Sequence, residues 1–384
     1  MAASMSNGLR PETIAAHALK AVDEATGAVV PPIYTSATYA RDEAYLPKLK
    51  ENYIRSGNPT LWQAEGAIAA LEGGTSALLF ASGMAAITTL LETVPHGAHV
   101  AAPDVMYYGT RDWLKRLESL GRISLTLFDP AKPGALEAAV QKGRTDLVWI
   151  ETPLNPTWDV IDIEAAAKAA HEAGAILAVD ATATAAVTTQ PLKLGADIVF
   201  HSATKYLNGH SDVLAGVLVT SVENQRWKDV ASLRTKTGAP LAPLECFLLM
   251  RGMRTLFVRY RQCSSNAMAI ARHFENHPRL ERVLYPGLAS HPGHAVAARQ
   301  MKDGFGGMMS LLVKGGFKDA QAFCTRLKVI VPATSLGGVE SLAEHRKTVE
   351  GPSSPVSDNL VRISVGIEHV DDLIADIEQA LAGS

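Results

Sequence analysis

Between residues 77 and 220 the chain carries seven short, almost wholly apolar runs: ALLF, HVAAP, ISLTLFD, TDLVWIE, AILAVDA, ADIVFHS and VLAGVLVT. They are mostly continuous rather than alternating, so strands formed from them must be buried on both faces. Covering two faces takes helices on each side, and helical segments stand between several of the runs. LWQAEGAIAALEGG sets Leu61, Ala64, Ile68 and Leu71 at helical spacing and stops on glycines. SGMAAITTLLETV and IDIEAAAKAAHEAG also read as helices. The pattern predicts an α/β fold built on a mainly parallel sheet.

After LLMRGMRT the texture changes. A long helical stretch, LFVRYRQCSSNAMAIARHFENH, leads into the strand runs MMSLLVK, VIVPATS and LVRISVGIE, with KDAQAFCTRL between them and a final helix at HVDDLIADIEQALAG. That is α+β order. With 384 residues, more than one typical core, three parts are expected: an N-terminal arm over 1–54, a large domain over 55–250 and a small C-terminal domain over 251–384. The arm, with VVPPIYTSATYA, is short on regular pattern and suits packing against another surface, such as another subunit.

Hydrophobic residues make up 47% and charged residues 20%, which excludes a disordered chain. A net charge of -3 gives no electrostatic basis for binding nucleic acid or an anionic membrane. No stretch is long and apolar enough to span a bilayer, and MAASMSNGLRPETIAAHA lacks the basic and apolar regions of an export signal. Cys246, Cys263 and Cys324 are scattered and odd in number, as expected of reduced thiols in the cytoplasm.

Ligands of such sheets bind beyond the carboxyl ends of the strands, and polar clusters fall there. ADIVFHS runs into HSATKYLNGHSD, where Ser202 and Thr204 crowd Lys205; a solvated loop lysine is the simplest reading of that segment alone. FASGMAAI is a strand, a Ser-Gly turn and a helix start, which leaves backbone N–H groups of Gly83 and Met84 free for an anion, or else is an ordinary cap at Ser82. Asp180 ends AILAVD and needs a cationic partner if buried. Glu151 and Asn155 end another strand in ETPLNP. Together these clusters ask for one ligand with a phosphate, a cationic ring nitrogen and a carbonyl carbon that an amine can attack. Pyridoxal 5′-phosphate (PLP) has all three.

HSATKYLNGHSD resembles the lysine segment of the Cys/Met metabolism (trans-sulfuration) group of fold type I PLP-dependent enzymes, which share the aspartate aminotransferase-like fold. YIRSGNPT, ASGMAAI, ETPLNPT, LMRGMRTL and SLGGVESL resemble that group's motifs in the same order, over about residues 10 to 383. The group includes cystathionine β- and γ-lyases, cystathionine γ-synthase and methionine γ-lyase, usually as homotetramers of two catalytic dimers.

The resemblance implies a role for each matching residue. Lys205 would carry the cofactor's aldehyde carbon and later move the Cα proton, with Ser335 orienting it. Tyr107 would stack on the ring, Asn155 would bond the ring oxygen and Asp180 the ring nitrogen. Ser202, Thr204, Gly83 and Met84 would hold the phosphate. Tyr53 and Arg55 would reach the phosphate of the neighbouring subunit's cofactor. Arg362 would clamp the substrate α-carboxylate; alone, it reads as a strand arginine in a surface ion pair. Tyr108 and Thr334 would face the substrate.

Some positions depart from the group's pattern. Ala181 follows the aspartate where asparagine is common, and Tyr108 stands where glycine is usual. Gly109 replaces the cysteine of methionine γ-lyases. Thr334 replaces the glutamate of enzymes acting on the γ side of cystathionine, and with Leu336 differs from the Tyr and Trp of bacterial β-lyases. The SLGG wording leans toward the γ branch. The implied activity is elimination or replacement at Cγ or Cβ of a sulfur-containing amino acid, foremost a cystathionine γ-lyase-like C–S cleavage, with β-lyase and γ-synthase as alternatives. A non-catalytic PLP-binding protein would be expected to lose part of the set, yet Lys205, Asp180, Tyr107 and Arg362 are all present. His291 and His294 of HPGH have no third metal ligand in sequence, so no metal is expected. GFGGMM does not match a dinucleotide-binding loop.

Overall fold

All seven apolar runs join one sheet, as β1 (Ser76–Phe80), β2 (His99–Pro103), β3 (Ser124–Phe128), β4 (Thr145–Glu151), β5 (Ile176–Asp180), β6 (Ile198–His201) and β7 (Gly216–Thr220). Their order is β1-β7-β6-β5-β4-β2-β3. The computed structural model describes residues 8–19, 22–352 and 354–383. β3, β2, β4, β5 and β6 pair in parallel, whereas β7 runs antiparallel to both β6 and β1. No helix interrupts the segment 202–215 between β6 and β7, and without a crossover helix the chain returns antiparallel.

The helices start and stop where local chemistry directs. In Pro59–Glu72, Asn58 caps Leu61 N at 2.9 Å, Pro59 takes the first position, and Gly73 closes the end in the left-handed region. Ser82 caps Gly83–Glu92 through Ala85 N at 3.0 Å.

A second sheet contains β8 (Leu280–Leu284), β9 (Met308–Val313), β10 (Val331–Pro332), β11 (Leu342–His345) and β12 (Leu360–Ser364), in the order β10-β11-β12-β9-β8. VIVPATS contributes only the two-residue edge strand β10, where Pro332 has no N–H to extend a ladder. Two strands lack an apolar signature. β8 turns Glu281 and Arg282 to solvent, and β11 buries Glu344 and His345.

One hydrophobic cluster surrounds the first sheet and another the second. The helix Leu256–Phe274 belongs to both: Leu256, Phe257, Tyr260 and Cys263 pack into the first, and Ala267, Ile270, Ala271 and Phe274 into the second. From 22 to 57 the chain has only isolated bridges, at Thr38–Tyr53 and Arg41–Pro47. That segment exposes large apolar side chains, Val29 at 72% and Tyr45 at 76%. Among the described residues no helix is long and apolar enough to cross a membrane.

Candidate active site

Because β7 is antiparallel to both its neighbours, β1 points the same way as β2 to β6. The carboxyl ends of β1, β2, β4, β5 and β6 therefore open on one edge of the sheet, around a cavity of about 230 Å³. Ser82, Gly83 and Met84 enter it from the β1 turn, Tyr107 from beyond β2, and Asn155 from beyond β4. Asp180 comes from the end of β5, and Ser202, Thr204 and Lys205 from the turn after β6. A larger cavity of about 400 Å³, lined by Val30, His210 and Arg254 among others, brings no lysine or carboxylate.

Lys205 is a partly buried side chain whose Nζ donates to Ser335 Oγ at 2.9 Å. Burial, and next the Arg362 charge, push its pKa down to about 8. Ser335 holds this place with φ 138, in the region that normally selects glycine. Two residues on, Gly337 at φ +74 lies so close to Tyr206 that an added Cβ would meet the Tyr206 backbone N at 2.7 Å. Only glycine lets the 335–337 loop of the second sheet press onto the lysine turn.

Asp180 is buried, accepts from Thr182 N at 3.0 Å and, among the described residues, has no cationic side chain in ion-pair contact. Burial pushes its carboxyl upward, a cost that a cation arriving in the cavity would relieve. Glu151 beside it is raised by burial and by the Asp180 charge, and it organises the wall. Its Oε2 accepts from Tyr107 N at 2.7 Å and its Oε1 from Asn155 N at 3.0 Å. Tyr107 is itself pushed up to about 12, by burial first and Tyr108 second, and the two rings lie 4.9 Å apart at 52°.

At the β1 turn the first N–H groups of the helix, at Gly83 and Met84, have no intrahelical acceptor. A Cβ on Gly83 would stand 3.4 Å from Ser202 Oγ and 3.3 Å from Phe200. Gly83 thus leaves a cradle between the helix start and the Ser202 hydroxyl, suited to an anion. Thr204 faces the same cavity, but its hydroxyl donates to Ala215 O at 3.2 Å and accepts from Ala215 N at 2.9 Å, so its hydrogen is already placed.

Arg362 is buried on β12, facing the lysine side. Its Nη1 donates to Asn155 Oδ1 at 3.1 Å, and its Nη2 reaches Ser335 O and Glu344 Oε2, both at 2.9 Å. Thr334 is exposed beside Ser335. Tyr53 and Arg55 do not join the cavity. Both are exposed, with Arg55 over the Tyr53 ring at 5.6 Å and its Nη1 on Thr235 O at 3.0 Å. His294 Nδ1 bonds Pro286 O at 2.9 Å, and His291 Nδ1 accepts from Gly293 N at 3.0 Å.

A family model described as Cys/Met metabolism PLP-dependent enzyme matches residues 12–382. The chain belongs to this family. Among its relatives, a cystathionine gamma-synthase of Mycobacterium tuberculosis is 44% identical, over 97% of this chain and 96% of the relative. A cystathionine gamma-lyase of Dictyostelium discoideum is 42% identical over 98% of both. A crystal structure of cystathionine gamma synthase from Xanthomonas oryzae pv. oryzae in complex with cystathionine superposes with a TM-score of 0.93. That chain is 38% identical, with 97% of this chain and 98% of that one covered.

Residues around the cavity fit the cofactor of this PLP-dependent family. A buried carboxylate with no cation beside it among the described residues suits a protonated pyridine nitrogen, the Gly83–Ser202 cradle suits a phosphate, and the Lys205 amine suits an aldehyde. Three residues of this environment escaped the sequence reading. Trp158, buried with its Nε1 on Ser310 Oγ at 2.8 Å, walls the cavity. Glu344 and Arg346 stand behind Arg362. Glu344 and His345 leave β11 without an apolar run, so no pattern in SLAEHR marked Glu344 or Arg346.

Lys205 must be neutral to attack an aldehyde carbon. Loading of PLP onto the apoprotein is expected to speed up about tenfold per pH unit as pH rises toward 8, then level off. Growth of visible absorbance measures it. A rate still climbing at pH 10 would mean that the amine is as solvated as a surface lysine.

Proposed function

We propose that this PLP-dependent enzyme cleaves or replaces a substituent at Cγ of a sulfur-containing amino acid, with cystathionine γ-lyase-like C–S cleavage as its principal reaction. The observation that carries this reading is the contact of Lys205 Nζ with Ser335 Oγ at 2.9 Å, beside the Arg362 guanidinium that itself bonds Ser335 O. This contact supports a proton-moving amine and a carboxylate clamp that would act on one substrate. When bound, the cofactor withdraws electrons from the substrate's Cα.

The protein's own groups do the rest. Asp180 would keep the ring nitrogen charged, and Tyr107 would cover the ring. The Gly83 and Met84 N–H groups with Ser202 hold the phosphate, with Thr204 bracing the turn through Ala215. Arg362 takes the α-carboxylate as a forked, charged donor, and Asn155 steadies both Arg362 and the ring oxygen. Lys205 removes the Cα proton. For a leaving group at Cγ, it would have to give up that proton before taking a second one from Cβ. A synthase-type replacement of an acyl group at Cγ is the second reading, favoured by the likeness to the Mycobacterium enzyme.

Assays of cystathionine, methionine, cysteine and O-acylhomoserines, with and without added cysteine, separate the readings. Cleavage at Cγ of cystathionine yields a four-carbon oxo acid and cysteine, cleavage at Cβ a three-carbon oxo acid and homocysteine. Replacement consumes cysteine without oxo acid. Thr334 is exposed and uncharged, so it cannot pair with the distal ammonium of cystathionine. Cystathionine should therefore show little advantage over smaller γ-substituted substrates, and Thr334→Glu should shift preference toward it. A wild-type preference for cystathionine of about a hundredfold, about 2.7 kcal/mol, would refute this role for the position.

The chain divides into an arm at 1–54, a PLP-binding domain at 55–250 and a small domain at 251–384, a division supported by the two sheets with their separate cores. The exposed apolar side chains of the arm support a homotetramer of two catalytic dimers, in which Tyr53 and Arg55 serve the neighbouring subunit. The three buried, free thiols support a cytoplasmic setting.

A further inference from the structure

Behind Arg362 lies a chain of buried charges with no part in the chemistry described so far. Glu344 on β11 stands directly opposite Arg362 on β12 in the strand register. Its Oε2 is shared between Arg362 Nη2, at 2.9 Å, and Arg346 Nη1. Arg346 is itself 2% exposed, and its Nε and Nη2 are both held by Glu350 Oε1, at 3.2 and 2.6 Å. Glu350 Oε2 in turn accepts from Ser354 Oγ at 2.7 Å, and buried Arg111 lies 3.9 Å from it.

The arrangement decides how free Arg362 is. A buried carboxylate facing a buried guanidinium normally closes into a two-bond pair, which would use up the fork that a substrate carboxylate needs. Here Glu344 spends Oε2 on two arginines, and its Oε1 is buried without a hydrogen-bond partner among the described residues. Three guanidiniums, Arg111, Arg346 and Arg362, face two buried carboxylates, Glu344 and Glu350, and Arg111 also pairs with the exposed Asp112 at 3.7 Å. Glu151, the next acid toward the cavity, is held toward its neutral form by burial.

We propose that Arg346 is a positioning residue for substrate recognition: by drawing Glu344 away from Arg362, it keeps the Arg362 guanidinium available to the carboxylate of an amino-acid substrate. This rests on the reading of Arg362 as the carboxylate clamp. Without Arg346, Glu344 would turn wholly onto Arg362 and compete with the substrate.

The test uses the holoenzyme and two small amines, glycine and methylamine, which differ by the carboxylate alone. Their apparent dissociation constants are read from the change in the cofactor's visible absorbance, and the ratio measures the contribution of the carboxylate. Arg346→Met should reduce the preference for glycine about tenfold, equivalent to about 1.4 kcal/mol, with methylamine binding unchanged. With a reactive amino acid, KM should rise about tenfold while kcat stays within about threefold. Arg346→Met/Glu344→Gln, which also removes the competing carboxylate, should recover most of the preference.

Arg346→Lys keeps the charge but loses the fork, and it replaces the methionine variant if that one does not fold; a loss of about threefold is then expected. A merely structural role would weaken both ligands together and leave their ratio unchanged. A glycine preference within about twofold of wild type in the folded variant overturns the proposal. Arg362→Met is the control. If it too keeps the preference, the clamp reading itself fails; if it loses the preference while the Arg346 variants keep it, only the role of Arg346 falls.

Discussion

Lys205→Ala is expected to retain PLP and to lose at least about a thousandfold in turnover, the range of a positioned proton-transfer group. Retention follows from groups the substitution leaves alone, the Asp180 carboxylate and the Gly83–Ser202 cradle. The loss follows because Lys205 is, among the described residues, the only lysine lining the cavity and is the amine whose pKa burial lowers. Borohydride reduction of the wild type should fix the cofactor to the peptide containing Lys205, and the alanine variant should release its cofactor on denaturation. A labelled peptide carrying another lysine would displace Lys205 from this role. Loss of cofactor together with activity would mean that the covalent link, rather than Asp180 and the cradle, does the holding.

The second large effect concerns Arg55. In the single chain its guanidinium rests on Thr235 O and the Tyr53 ring, outside the cavity and exposed. A structural role confined to its own chain would make Arg55→Ala mild, since exposed contacts of this kind are weak. A shared active site makes it severe. Arg55→Ala and Lys205→Ala should then each be nearly inactive alone. When the two are unfolded together and refolded, hybrid dimers should regain up to about half of wild-type activity, because one of two sites combines intact Lys205 with intact Arg55. Hybrids as inactive as their parents would confine Arg55 to its own subunit.

Much of the cavity wall was legible because it is local. Asp180 ends an apolar strand, Ser82 precedes a helix, and Lys205 follows β6 within four residues. Chain direction and the period of the apolar runs are short-range properties, and they carry each of these residues to the same edge of the sheet. β11 shows the opposite case. Its four residues bury a glutamate and a histidine, so hydrophobic patterning has nothing to register, and the strand becomes visible only once Glu344 faces Arg362 across the ladder.

By itself, the sequence determined the α/β class, the seven strands of the first sheet, and the turns bearing Gly83, Asn155, Asp180 and Lys205, since each depends on residues a few positions apart. Tertiary structure alone decided that β7 runs against its neighbours and that Arg362 is held in a buried charge cluster instead of a surface ion pair, and it brings Ser335, which the resemblance alone had tied to Lys205, to 2.9 Å from that lysine. The Lys205–Ser335 and Arg362–Asn155 bonds join residues 130 and 207 positions apart. Their strength comes from being buried, where charge interactions are screened far less than in water, and burial is a property of the folded whole.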